Sequence, residues 1–311
     1  MGKAVAGVFG ALVATVIGLV LVVVVAIGGG SAGSDSSSAT GAGTGGTGSA
    51  GGAPGVAVPS DWLTLYQQAA STCPGLPWSV LAGIGTVETD NGRSDAPGVW
   101  SGANSAGAEG PMQFEPATFA AYATVGPDGA RPPSPYDPSD AVTTAAALLC
   151  ANGGGSMATL RSAVADYNHS DPYVNTVLTL ALAFGDDPQA TGTVVAALSF
   201  AARQLNTPYL WGGTGTGGFD CSGLAQVAFD SAGIALPRVA QDQYDAGPPV
   251  PGGSTVLPGD LVFFGDGPSS VDHVGIYVGG GEMIDAPHTG ALVRFDAADG
   301  SGFVGATRPA G

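Results

Sequence analysis

The chain reads as a multidomain protein with an N-terminal transmembrane helix, an all-α domain, and then an α+β domain with a small antiparallel sheet. Three observations predict this. Residues 4–27 are apolar and carry no charge. Between about residues 58 and 185, apolar side chains recur at helical spacing, and no alternating run competes with them. From residue 194 onward a helical segment at 222–232 is followed by alternating runs broken by glycine turns, the pattern of strands and hairpins.

As a helix, residues 4–27 reach roughly 36 Å, enough to cross a hydrocarbon core of about 30 Å. Lys3, the only lysine in the chain, favours a cytoplasmic N-terminus. Residues 1–27 are therefore read as an uncleaved signal-anchor of the cell membrane, single-pass with the rest of the chain outside. The alternative is a signal peptide removed on secretion. Residues 28–57, almost all Gly, Ser, Ala and Thr, form a flexible linker with no means of packing a core.

The helical domain, residues 58–185, opens with Ser60-Asp61 before Trp62, and Ser79 precedes Val80 to Glu88; both serines read as N-caps. Three further helices are predicted at residues 141–150, 157–167 and 174–184. A short linker at 186–193 leads to the second domain, residues 194–311. There, Leu224, Val227, Ala228 and Ala232 fall on one helical face, with Gly233 as the stop. The run from His273 to Val278, the turn Gly279-Gly280-Gly281 and the run from Glu282 to Asp285 form a hairpin signature.

At 311 residues the chain has room for two cores. Its formal charge of −17 excludes the phosphate neutralisation on which nucleic-acid binding relies. No Cys/His cluster has metal spacing and no phosphate loop is present, so no metal or other cofactor is implied. Of three cysteines, Cys73 and Cys150 lie in the helical domain and can pair in an exported protein, leaving Cys221 free.

A thiol is a nucleophile only as thiolate and needs an imidazole with which to exchange protons. Cys221 follows a Gly-rich stretch and opens the helix, where backbone amides and the macrodipole favour a negative sulfur. The hairpin can bring Asp285 level with His273 to orient its ring. These residues, together with Pro208-Tyr209-Leu210-Trp211-Gly212-Gly213, Phe219-Asp220-Cys221-Ser222-Gly223-Leu224, Leu236-Pro237-Arg238, Pro258 to Phe264 and His273 to Tyr277, resemble the NlpC-type cysteine peptidases, which are papain-like peptidoglycan endopeptidases. The resemblance implies Cys221 as nucleophile, His273 as base and Asp285 as the third polar residue, with His288 as its competitor. It also implies that Tyr209 lies at the active centre and that Asp220 and Ser222 bind the free amine of a stem peptide.

In the helical domain, Glu88 closes a helix of small and apolar residues. Burial there raises a carboxyl pKa, as a general acid for glycosidic cleavage requires. Val87-Glu88-Thr89 with Gly92-Arg93, the run from Gly107 to Phe114, Ala165-Asp166-Tyr167-Asn168 and Tyr173-Val174 resemble the lysozyme-like lytic transglycosylases. That likeness implies Glu88 as sole acid and base, Gln113 lining the glycan groove, and Tyr167 and Asn168 bordering it. Asp90, Glu109 and Glu115 are available as a second carboxylate, which keeps a hydrolytic muramidase open.

Both likenesses point to peptidoglycan as the substrate, with Glu88 cutting between N-acetylmuramic acid and N-acetylglucosamine and Cys221 cutting the stem peptide after D-glutamate. Anchored hydrolases of this order resemble the wall-opening enzymes of conjugation systems, so a conjugation or secretion complex is an expected partner. Housekeeping wall remodelling, cell separation and a wall-binding scaffold with an inactive site are the alternatives.

Overall fold

The computed structural model describes residues 57–310. The expected membrane helix, and the linker up to residue 56, lie outside this range. Among the described residues, no helix is long and apolar enough to cross a membrane.

A helical part comes first, with α1 (Ser60–Ser71), α2 (Trp78–Thr89), α3 (Pro116–Tyr122), α4 (Pro138–Ala151), α5 (Met157–Tyr167) and α6 (Asp171–Asp186). Neither expected serine cap is used. Pro59 and Pro77 hold the cap positions, and no side chain caps either helix. Proline's fixed φ and missing N–H suit a helix start, so each helix begins earlier than the serines suggested. The apolar α2 is the central rod and lies against α6 so closely that a Cβ on Gly83 would sit 2.7 Å from the Val177 carbonyl oxygen. A disulfide joins Cys73, just past α1, to Cys150 in α4, with Cα atoms 5.7 Å apart.

The stretch read as a linker is a packed turn. Residue Ala190 is buried, and its carbonyl accepts from Ala57 N at 2.8 Å. Helix α7 (Gly192–Arg203) follows at once, capped by Thr191.

The second part adds a β1–β2 ribbon (Thr214–Gly215, Gly218–Phe219), α8 (Cys221–Asp230), α9 (Ala240–Ala246) and strands β3 (Leu261–Gly267), β4 (Ser270–Gly279), β5 (Glu282–Asp285), β6 (Arg294–Ala297) and β7 (Phe303–Thr307). The five long strands form one antiparallel sheet in the order β6-β5-β4-β3-β7. Strand alternation divides β3 between two apolar clusters. Leu261 and Phe263 join the main core with α7 and α8, whereas Val262 and Phe264 pack with Met283 and Ala306 on the other face. Buried residues of the helical part and the sheet part belong to one continuous core.

Candidate functional site

Cys221 is the first residue of α8, and Asp220 caps it by accepting from Gly223 N at 2.7 Å. A residue in this position has an amide with no intrahelical acceptor. The helix ends as its glycine required, with Gly233 at φ 81° and Ile234 N donating back to the Phe229 carbonyl at 2.9 Å.

His273 sits on β4, and the hairpin brings Asp285 to it across the strand pair. His273 Nε2 and Asp285 Oδ2 are 2.7 Å apart, with Asp285 fully buried and His273 only partly exposed. The turn is Gly280-Gly281, with φ of 63° and 79°, the paired positive values that a two-residue hairpin needs. Burial lowers the pKa of His273, but hydrogen bonding to Asp285 and Cys221, and their charges, outweigh it and hold the ring at about 9. The ring is therefore protonated at neutral pH. Phe264 closes one side of it, with ring centroids 5.9 Å apart. His288 is exposed and its Nδ1 contacts the Thr289 carbonyl, so Asp285, not His288, makes the contact with His273.

Tyr209 lies beside Cys221, and burial together with the charges of Cys221 and Asp220 pushes its hydroxyl pKa up. Asp220 and Ser222 are buried beneath the helix start. Arg238 holds Asp220 through two bonds of 2.9 and 2.7 Å and reaches Ser222 Oγ at 3.0 Å, and Gly212 N supplies another bond to Asp220. Any amine arriving at Asp220 has to share a carboxylate already occupied by these donors. Arg238 and Gln243 also shape the site, and neither has a role legible in the sequence. Gln243, buried on α9, donates to the carbonyls of Ser222 and Pro237 at 2.9 and 2.8 Å and so ties the α8 start to the Arg238 loop. Arg238 belongs to the Leu236-Pro237-Arg238 motif, but its partner lies 18 residues away.

In the helical part, Glu88 occupies the last turn of α2, where Tyr173 of α6 donates to Oε1 at 2.7 Å. Burial pushes the Glu88 carboxyl up to about 7 against the opposing effect of that bond. Burial, and after it the charge of nearby Glu88, push the Tyr167 hydroxyl pKa up; it donates to the Met112 carbonyl at 2.6 Å and packs on Phe114. Gln113 adopts a left-handed φ of 50° and spends its amide inside the loop, donating to the Gly110 carbonyl at 2.7 Å and accepting from Asn104 at 2.8 Å. Asn168 caps the end of α5, and its side chain accepts from Ser170 N. Of the other carboxylates, Asp90 is held by Arg93, Glu109 faces Tyr136, and Glu115 is exposed at the start of α3. Among the described residues no cluster of His, Cys, Asp and Glu is arranged to hold a metal.

A model of the NlpC/P60 family matches residues 206–308. The probable endopeptidase p60 of Listeria monocytogenes is 47% identical over 103 residues, which are 33% of this chain and 20% of that protein. The gamma-D-glutamyl-L-lysine dipeptidyl-peptidase of Bacillus subtilis is 44% identical over 108 residues, covering 34% of this chain and 36% of that one. A solved NlpC/P60 family protein from Bacillus cereus superposes with a TM-score of 0.36 at 32% identity, over 38% of this chain and 40% of that one. The chain thus spans 20% and 36% of the length of these two curated relatives. Its C-terminal part, residues 206–308, is an NlpC/P60 domain of the cysteine endopeptidase type.

Proposed function

We propose that the chain is a bifunctional peptidoglycan hydrolase, with residues 1–27 as its membrane anchor and both catalytic parts outside the cell. The observation that carries the peptidase reading is the assembled line from Cys221 through His273 to Asp285, with its 2.7 Å imidazole–carboxylate contact. The proton shared by the Cys221–His273 pair rests on the imidazole, and the sulfur attacks the stem-peptide carbonyl after D-glutamate as the thiolate. The Cys221 amide is the oxyanion donor. Collapse of the adduct breaks the C–N bond as His273 protonates the leaving amine, and water, deprotonated by His273, then hydrolyses the thioester. Asp285 keeps the ring in one orientation throughout. Tyr209, Asp220 and Ser222 form the wall against which the stem is held.

Glu88 is the acid of a lytic transglycosylase. It protonates the bridging oxygen between the two sugars, and its carboxylate then accepts the proton of the muramyl 6-hydroxyl as that oxygen closes an anhydro ring. Two observations support one carboxylate rather than two: Glu88 is held near pKa 7 by burial, and Asp90 is committed to Arg93. Gln113, Tyr167 and Asn168 border the glycan. A wall-opening role beside a conjugation or secretion complex fits a tethered enzyme that makes both cuts.

Mass spectrometry of fragments released from purified peptidoglycan tests the reading. Anhydro-muramyl ends lost in Glu88→Gln alone, and stem cuts lost in Cys221→Ala alone, are expected. Reducing muramyl ends make the front half a muramidase, and no fragments from any version leaves a wall-binding scaffold.

A further inference from the structure

Helix α6 touches both candidate sites. Near its N-terminus Tyr173 donates to Glu88, and at its last residue Asp186 Oδ2 accepts from Gly280 N at 2.7 Å and from Tyr277 Oη at 3.2 Å. Gly281 N donates to the same tyrosine oxygen at 3.2 Å. Asp186 thus grips the turn of the β4–β5 hairpin that carries His273 and Asp285. The approach is close: a Cβ on Gly279 would sit 2.8 Å from the Leu182 carbonyl oxygen, and one on Gly280 would sit 3.4 Å from Leu182 Cδ2.

An aspartate is out of place at this end of a helix. The macrodipole there is negative and favours cations, and the last turn of α6 holds no basic residue. The hairpin, for its part, needs an external restraint. Gly279-Gly280-Gly281 offers more than one pair of residues able to adopt the positive φ values of a tight turn. A slip by one residue turns every β5 side chain to the opposite face, which carries Asp285 away from His273. Bonds to Gly280 N and to the tyrosine that receives Gly281 N single out one placement.

We infer that Asp186 is a positioning residue for the peptidase, a part of the helical half that fixes the register of the catalytic hairpin. The inference rests on the peptidase reading for its functional consequence, but its physical content does not. The chain has three histidines, so the ring of His273 can be followed by NMR in the whole protein without any substrate. Asp186→Ala is expected to titrate His273 at least one pH unit below the wild type, in which Asp285 and Cys221 hold the ring up, and to lower kcat for stem cleavage about tenfold. Asp186→Asn keeps the acceptor oxygen and is expected to restore both. An Asp186→Ala protein whose Gly280 amide exchanges faster while His273 titration and kcat stay unchanged overturns the inference, because Asp186 is then only adhesive. If the titration moves but no version cuts stem peptides, the positioning stands and the peptidase reading falls.

Discussion

Glu88 and His273 are both displaced from their ordinary pKa values, for opposite physical reasons. Glu88 is raised to about 7 because burial penalises its charge. A carboxyl raised in the fold contributes stability that is complete below its unfolded pKa of about 4.3 and is lost as pH rises through 7. Glu88→Gln removes the charge and leaves an acceptor for Tyr173. At pH 8 it is expected to raise unfolding stability by roughly 2 kcal/mol in a denaturant titration, while glycan cleavage falls at least about 100-fold. A destabilised variant retaining glycan cleavage would place the acid elsewhere. His273 is raised to about 9 by its bonds to Asp285 and Cys221, against its burial. Stem cleavage needs that proton for the leaving amine, so kcat/KM is expected to hold through neutral pH and fall as pH rises through about 9. With Asp285→Asn the alkaline limb should move toward the unperturbed imidazole value of about 6.5. A limb that does not move with this substitution would mean that Asp285 does not tune the ring.

Among the elements, Asp140, fully buried on α4, is a local determinant outside the two candidate sites. Its carboxylate gathers the amides of Gly126, Ala130 and Ser134, each at 2.9 Å, and so shapes the loop before that helix. Asp140→Ala leaves these amides without an acceptor and is expected to cost about 2–4 kcal/mol in thermal or chemical unfolding; a cost below about 1 kcal/mol would mean that water replaces the carboxylate. How far the elements were legible depended on length and on locality. Helix α5 runs from Met157 to Tyr167 as periodicity predicted, and the Gly279–Gly281 turn produced the expected hairpin. Helix α3, of seven residues, is too short to show a period, and the start of α7 lay within a Gly/Asp/Pro stretch that composition assigned to a linker. The contacts of Tyr173 with Glu88, 85 residues apart, and of Asp186 with Gly280, 94 apart, arise only from packing. Sequence spacing carries no record of either.

At the scale of the whole molecule, the helical and sheet parts share one core, and α6 runs from the first candidate site to the hairpin of the second. A shared core means that an unfolding mutation in either part disables both candidate sites, so substitutions there are informative only when they spare the fold. Asp285 is fully buried against His273, so the unfolding of each variant is measured beside its rate. The Cys221–His273–Asp285 assignment is tested by the rate of stem-peptide cleavage on purified peptidoglycan by Cys221→Ala, His273→Ala, their double variant and Asp285→Asn. Groups that act as one unit are not additive. Each of the first two substitutions should reduce the rate to background, with the double variant no lower and Asp285→Asn in between; stem cleavage that persists in Cys221→Ala would mean that Cys221 is not the nucleophile.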